Sequence, residues 1–282
     1  MPRSPLPLFA IAFGACCIAA CGDNQTHPPP DRPAYTADSG ALTCVPNLDG
    51  KIDSTELTPA LGVGVSYLIS PSGKERTVDL VGVVVDGKRS WNLAIDFADD
   101  ARITATASAI TGKWYAASFP QGEFTAPFDA AGALDGIYRH DESALWLLGI
   151  ASNQPSPAEG KTLFVYDAPI PVVKFPLVVG AKWVSAATVI NGTIRGLPYA
   201  GKDVYEIEDD QSGSLVLHDL TFQQVHHLRT HVTVSPSVGV ATSQRQVSFF
   251  SECFGEVARA TSKPNEPTPD FTIAAELRRL GL

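Results

Sequence analysis

The stretch that decides the fold is residues 77–97, which read TVDLVGVVV, DG and then KRSWNLAIDF. The run 77–85 is rich in β-branched side chains, and residues 90–97 form a second strand-like run. Asp86-Gly87 between them is a dipeptide typical of a two-residue turn. The stretch therefore predicts a β-hairpin.

Similar signals recur along this 282-residue chain. We expect Asn191-Gly192 to turn 183–190 back onto 193–197, and residues 211–214 to separate strands at 203–208 and 215–220. Further strands are predicted at 64–69, 102–107, 113–118, 136–140, 145–151, 162–167, 221–234, 242–250 and 256–260. No stretch of twelve or more residues has a convincing helical period. The sequence predicts an all-β fold, with an antiparallel curved sheet, open barrel or sandwich built from consecutive hairpins over residues 61–282.

The C-terminal segment 271–282 fits two patterns. Ile273, Leu277 and Leu280 have helical spacing, whereas alternate residues from Phe271 to Leu277 have strand spacing. The Pro-rich residues 263–270 would connect a strand here back to 256–260. We favour a closing strand, with a helix as the alternative.

The composition excludes some partners. Apolar residues make up 44% and charged residues 18%, which is typical of a globular protein. The formal net charge of −9, with no run of Lys or Arg, disfavours nucleic acid and anionic lipid headgroups as partners.

The N-terminus predicts export. Arg3 is followed by an apolar run at 6–20, which is shorter than the roughly 20 residues of a membrane span and indicates a secretory signal. The run ends in Ile18-Ala19-Ala20-Cys21, which resembles the lipobox of bacterial lipoproteins. The resemblance implies a signal peptide at 1–20, removed before an acylated, palmitate-bearing Cys21, and a lipid bilayer as partner through acyl chains alone. An ordinary signal peptide is the alternative.

The residues after Cys21 indicate a tether. Residues 21–43 are rich in Pro, Asp, Ser and Thr and predict a disordered spacer. About 20 such residues at roughly 3 Å each would hold the domain up to ~60 Å from the bilayer. Gly22 is not the aspartate that retains some lipoproteins at the inner membrane, so we expect the outer membrane of a bacterial envelope, on its periplasmic face or at the cell surface.

Two of the five cysteines predict a disulfide. Cys16 and Cys17 lie in the signal and Cys21 is the acylation candidate, which leaves Cys44 and Cys253. An even pair in an oxidising compartment favours a bond between them. Two separate buried thiols are the alternative.

Residues 44–60 contain a second resemblance. The run NLDGKIDSTEL at 47–57 is similar to the calcium loop of EF-hands and dockerins. The resemblance implies a calcium site that uses the following positions: Asn47, Asp49, the carbonyl of Lys51, Asp53 and Glu56. Val45, at the first ligand position, supplies no side-chain oxygen, so any calcium site would be weak. Alternatively, Asp49-Gly50 is a turn and Asp53 to Glu56 a capping box that opens a short helix at 55–61.

The candidate catalytic residues are few. His218, His226, His227 and His231 resemble a metal cluster, but on an extended strand His227 and His231 lie about 13 Å apart, with Arg229 between them. We expect these histidines on a solvated face and Asp209-Asp210 at a solvated hairpin tip. The sequence has no Gly-x-Ser-x-Gly nucleophile motif and no complete phosphate-binding loop ending in Lys-Ser or Lys-Thr.

Aromatic residues give a weaker resemblance. The run from Phe175 to Trp183, Phe-Pro-Leu-x-x-Gly-x-x-Trp, with a late Gly255-Glu-Val257, resembles uncharacterised bacterial periplasmic proteins with curved antiparallel sheets. We expect the four tryptophans to pack in the core, or else to line a concave ligand surface. The tryptophans are Trp91, Trp114, Trp146 and Trp183.

These observations predict an envelope lipoprotein whose β domain is a non-catalytic binding or structural module with an unidentified protein or small-molecule partner. A carrier of an apolar ligand is the first alternative, and it predicts a cavity lined by 77–85, 90–97 and 183–190. A hydrolase whose carboxylates meet across strands is the second.

Overall fold

The computed structural model describes residues 44–281. The expected signal peptide at 1–20, the acylation site Cys21 and the spacer at 21–43 lie outside the described residues. Within these bounds the chain is all-β, as predicted. Two short 3-10 helices occupy Ser54–Leu57 and Ala116–Ser118. No helix of the described part is both long and apolar enough to cross a membrane.

The strands, in chain order, are β1 Lys51–Ile52, β2 Gly64–Ile69, β3 Arg76–Thr77, β4 Val83–Val85, β5 Lys88–Asn92, β6 Ala101–Thr106, β7 Ser108–Ala109, β8 Phe124–Pro127, β9 Leu134–His140, β10 Ala144–Ser152, β11 Leu163–Lys174, β12 Leu177–Val178, β13 Lys182–Ile194, β14 Leu197–Val216, β15 Thr221–Pro236, β16 Thr242–Ser251, β17 Gly255–Thr261, β18 Ile273–Ala274 and β19 Glu276–Leu280.

One large sheet dominates, in the order β6-β2-β19-β17-β16-β15-β14-β13-β11-β10-β9-β8-β7. All neighbours along this path pair antiparallel, and the β4–β5 hairpin adds on through a parallel pairing of β5 with the end of β14. Only Ala107 separates the first strand of the path from the last. Residues 101–109 therefore supply both end strands of the sheet, β6 and β7, and the sheet is nearly closed into a barrel.

The central strands are covered on both faces. Phe249 belongs to one apolar cluster, with Trp91 and Leu277, whereas the next residue, Phe250, packs against a second cluster that contains Trp183. Successive side chains of a strand point to opposite faces. Both faces are therefore removed from water in the middle of β16, at 247–249, and of the neighbouring β15, at 225–228. A third cluster surrounds Tyr115 near β8 to β10.

Two predicted turns are wrong. Asn191-Gly192 lies inside β13 at a register shift, and the chain turns instead at Arg195-Gly196, between the paired Ile194 and Leu197. Residues 211–214 lie inside β14, where two further register shifts occur. Asn, Gly and Ser serve bulges as well as turns, because both need unusual backbone angles. The strands consequently run longer than predicted.

The other local predictions have mixed outcomes. The Asp86-Gly87 turn is confirmed, although only β4 and β5 flank it as strands. The strand expected at 113–118 is wrong, because this segment is a turn followed by a 3-10 helix. The closing C-terminal strand is confirmed, since β19 pairs antiparallel with β17.

The segment 44–60 packs onto the sheet. β1 pairs with β12, and both Ile52 and Leu57 are buried in the second cluster. The short helix expected at 55–61 is the single 3-10 turn Ser54–Leu57, with the capping box in place. Cys44 and Cys253 form the predicted disulfide, with their Cα atoms 5.6 Å apart.

Candidate functional site

A group of seven titratable side chains lies across β14 and β15. We call it the carboxylate–histidine cluster, and its members are Glu206, Asp209, Asp210, His226, His227, Arg229 and His231. In the pairing of the two strands, Asp209 lies opposite Leu228 and Gln211 opposite His227, which leaves Asp210 as an extra residue. Asp209 and Asp210 point to opposite faces of the sheet by the ordinary alternation of a strand, and the bulge places Asp210 and Gln211 together on the face of His227.

Two buried pairs form its centre. His226 Nδ1 lies 2.7 Å from Asp209 Oδ2, and His227 Nδ1 lies 2.5 Å from Asp210 Oδ1. Both imidazoles are 1% exposed or less. The His227 ring stacks on Trp91, with the ring centroids 5.0 Å apart and the planes 2° from parallel. The hairpin that decides the fold therefore also covers one face of the cluster.

Arg229 joins the cluster to the C-terminal loop. Its Nη1 lies 2.9 Å from Asp210 Oδ2, and its Nη2 donates to Asp270. The guanidinium supplies positive charge between two carboxylates, on the face that His227 shares. Near the end of the cluster, His231 Nδ1 lies 2.7 Å from Glu206 Oε2, and this pair reaches solvent.

Asp209 is the most deeply buried carboxylate of the cluster, with its side chain 0% exposed. Burial raises the pKa of its carboxyl group, and the hydrogen bond with His226 lowers that pKa in part. Its backbone amide donates to the carbonyl of Ala181, and its carbonyl accepts from Gly180. Asp209 Oδ1 and His226 Nε2 have no hydrogen-bond partner within the part of the chain that the structure describes. The pair is therefore closed off from solvent.

The expectation of a solvated face is wrong for His226 and His227, and Asp209-Asp210 is not a hairpin tip. The sequence correctly places His226 on the face of Leu228, and His227 on the face of Arg229. The expectation failed because β15 is covered on both faces at 225–228, and the segments that cover it there come from elsewhere in the chain. Among residues 44–281, no three His, Cys, Asp or Glu side chains are close enough together to hold a metal ion.

The EF-hand-like loop is held by its own hydrogen bonds. Glu56 Oε1 accepts from Asn47 Nδ2 at 2.8 Å, and Glu56 Oε2 accepts from the Asp53 amide at 2.8 Å. Lys51 Nζ lies 2.6 Å from Asp53 Oδ2 and 3.7 Å from Asp49 Oδ2. The side chain of Val45 is exposed.

These contacts match the capping-box interpretation, and an ammonium group lies beside two of the expected ligands. Calcium binding stays a prediction that titration calorimetry tests. Sequence reasoning missed Glu252, whose Oε2 accepts from the amides of Asn47 and Leu48 at 2.7 and 2.9 Å. Glu252 precedes Cys253, so a carboxylate and the disulfide together fix the loop to the sheet.

Two other buried carboxylates accept a hydrogen bond from a phenol. Asp203 Oδ2 accepts from the Tyr166 hydroxyl at 2.7 Å, and burial raises the pKa of Asp203. Asp135 accepts from the Tyr115 hydroxyl at 2.5 Å. Each carboxylate lies in a separate place, so neither pair brings two acids together for general acid–base work.

The indole nitrogens of all four tryptophans donate hydrogen bonds within the protein, which supports the packing interpretation. Trp183 follows Gly180, whose φ of +91° makes the turn. The residues expected to line a single cavity divide between two clusters, with Trp91 in the first and Trp183 in the second. A small cavity of about 170 Å³ lies beside Leu93, Phe97 and Leu277.

Comparison of the chain with protein families, with curated proteins and with solved structures gave no significant match. Its function is therefore inferred from its residues and their geometry.

Proposed function

We propose that this protein is a lipid-anchored protein of the bacterial envelope, tethered through acylated Cys21, whose β domain is a non-catalytic binding or structural module. The observation that carries the proposal is the lipobox-like Ile18-Ala19-Ala20-Cys21 after an apolar run. The Cys44–Cys253 disulfide supports it, because such bonds persist in oxidising compartments outside the cytoplasm.

The arrangement of the titratable groups supports a non-catalytic role. A catalytic acid, base or nucleophile must reach a substrate. The most concentrated carboxylates and histidines instead form pairs inside the sheet, where Asp209, His226 and His227 are withdrawn from solvent. An active site assembled from these groups would have no entry for a substrate.

The alternatives have less support. A carrier of an apolar ligand would use the cavity beside Leu93 and Phe97, but its volume of about 170 Å³ is below the 300 Å³ at which ligand pockets ordinarily begin. Organic extraction of the native protein, followed by mass spectrometry, would detect such a ligand. A hydrolase would need carboxylates that meet across strands and face a cleft.

The test of the anchor is acylation in a bacterial host. Full-length protein is labelled with an alkyne-bearing fatty acid and partitioned between aqueous and detergent phases. We expect the wild type to carry the label and enter the detergent phase, and Cys21→Ser to lose the label and remain uncleaved. Cys16→Ser is the matched control, because it removes a thiol from the same apolar run and should behave as wild type.

Normal maturation of Cys21→Ser, with retention in the membrane fraction after a high-salt wash, would overturn the proposal.

A further inference from the structure

Two neighbouring loops expose a group of branched aliphatic side chains at one end of the sheet. We call this surface the apolar tip and define it by Ile190, Ile194, Leu197, Val238 and Val240. Val238 and Val240 are 92% and 84% exposed, and Ile190 and Leu197 are both 66% exposed. Single exposed apolar residues are ordinary, but contiguous ones mark surfaces that contact a partner or a membrane.

The two loops lie side by side. Ile194 and Leu197 close the β13–β14 hairpin, and Val238 and Val240 lie in the loop between β15 and β16. The Ser237 amide donates to the Ala200 carbonyl at 2.8 Å, which fixes the second loop against the first. A depression of about 340 Å³ between them is lined by Tyr199 and Val238, among others. Asn191 and Pro198, which adjoin Ile190 and Leu197 in the chain, line this depression together with Val238, so the two loops form one continuous surface.

The charge around the tip differs from that of the whole protein. The chain carries a formal charge of −9, yet residues 184–202 and 232–246 contain no Asp or Glu. They contain Arg195, Lys202 and Arg245, and the first two are exposed. The adjoining loop, whose Lys161 carbonyl accepts from the Gly196 amide, adds one acidic and one basic residue, Glu159 and Lys161. The tip is locally basic.

We propose that the apolar tip inserts into the interface of an anionic lipid bilayer. Aliphatic side chains that enter the acyl boundary, with Lys and Arg at headgroup level, are the combination that holds a protein surface on anionic lipid. This contact is additional to the acyl anchor and uses different residues. It differs, for this surface, from the expectation that acyl chains alone contact the membrane, which rests on the net charge of the whole chain.

The tether allows this orientation. Cys44 is bonded to Cys253 in the β16–β17 turn, whereas the tip adjoins the start of β16. Ten residues of strand separate the two ends, or about 30 Å. The 23 residues from Cys21 to Cys44 have a contour length of about 80 Å, so the tip can reach the bilayer that holds the anchor.

A second copy of the chain is the competing occupant. Two tips docked face to face would bring the guanidinium of Arg195 and the ammonium of Lys202 near their own copies. Like charges disfavour such a contact, whereas an anionic headgroup layer neutralises them. The local charge therefore favours a bilayer.

The experiment is hydrogen–deuterium exchange of the full protein on vesicles of phosphatidylcholine alone, or with about one third phosphatidylglycerol. We expect amides of 190–198 and 236–241 to exchange at least about fivefold more slowly on the anionic vesicles. Residues 81–87 provide an internal control, because Val83, Val84 and Val85 are also exposed but lie in a separate hairpin. Their exchange should not change.

Paired variants locate the effect. Leu197→Ser with Val238→Ser should abolish the protection, whereas Val83→Ser with Val85→Ser should leave it unchanged. Arg195→Gln and Lys202→Gln should each weaken it about fivefold. Equal exchange with and without vesicles would overturn the proposal, as would equal protection on neutral lipid. If these amides became protected without vesicles as the protein concentration rises, the tip would bind a second copy of the chain, and the proposal would also be overturned.

The exchange experiment can also be done with a chain that lacks acyl groups, added to preformed vesicles. Tip binding is then measured without the Cys21 anchor, so failure of the anchor and failure of the tip give separate results.

Discussion

Among the described residues, the two longest strands, β14 and β15, contain the fully buried Asp209 and His227, and the loop that follows β15 contains the two most exposed aliphatic residues, Val238 and Val240. In the middle of β14 and β15, Asp209 and His226 are almost fully buried, whereas Leu197 and Val238 at their tip project into solvent. Polarity alone would place these side chains the other way round. The difference shows that burial follows what covers each part of a strand, because charges tolerate a covered position once they are paired.

The largest expected effect lies at the end of β16 remote from the tip. Replacement of both Cys44 and Cys253 by Ser opens a loop of 209 residues, which in the chain-entropy description lowers the free energy of unfolding by about 5 kcal/mol. Urea unfolding of the oxidised wild type and the double variant measures the loss. A difference below about 1 kcal/mol would mean that the crosslink does little.

The middle of the strands should give the next largest effect. Asp209→Ala leaves His226 buried without its partner, and breaking a buried pair in this way costs about 3–5 kcal/mol. Glu206→Ala is the matched control, because it breaks a pair of the same 2.7 Å length on the same strands, but at a site that reaches solvent. The control should cost at most about 1 kcal/mol. Equal losses in urea unfolding would show that burial does not decide the cost.

The contributions of two buried carboxylates to stability should change with pH in opposite directions. Burial alone would raise the pKa of Glu256, but the guanidinium groups of Arg259 and Arg278 lower it to about 2. Its contribution to stability is therefore present above pH 4.5 and lost as the pH falls towards 2. The pKa of Asp209 is raised, so its contribution is present at low pH and declines as the pH rises above 3.8.

Unfolding free energies between pH 2 and 7 check this difference. Glu256→Gln should reduce the loss of unfolding free energy between pH 4.5 and 2. Asp209→Asn should make the unfolding free energy rise more steeply with pH above 3.8, because the wild-type Asp209 lowers stability as the pH rises. If Glu256→Gln lost as much stability below pH 4.5 as the wild type, the ion pairs of Glu256 with Arg259 and Arg278 would be contradicted.

The smallest effect on stability is expected at the tip. Ile190→Ser should change the free energy of unfolding by no more than about 0.5 kcal/mol, because the side chain has little to lose on unfolding. The preceding residue, Val189, is fully buried, and Val189→Ser should cost about 2 kcal/mol or more. Similar urea midpoints for the two variants would contradict the description of Ile190 as free of packing.

The local part of this fold was predictable. Asp86-Gly87 marks a hairpin because its backbone requirements are met within four residues, and the strand periods at 64–69 and 242–250 are equally local. The pairing of Cys44 with Cys253 followed from a count of cysteines. Asn191-Gly192 misled because the same residues suit a bulge and a turn, and only the register with β14 distinguishes them.

The candidate site was not predictable in the same way. Alternation correctly placed His226 and His227 on opposite faces of one strand, but it carries no information about what lies over each face. The first is paired with Asp209 of the neighbouring strand β14, and the second is covered by Trp91 from a hairpin more than 100 residues away.

The sequence by itself determined the all-β character, the Asp86-Gly87 turn and the pairing of Cys44 with Cys253, since each depends on nearby residues or on a count of cysteines. Only the tertiary structure decided that Asp209 and His226 are buried and that Leu197 and Val238 are exposed. The physical reason is that exposure depends on contacts between segments distant in the chain, and a local pattern does not specify which of its faces another segment will cover.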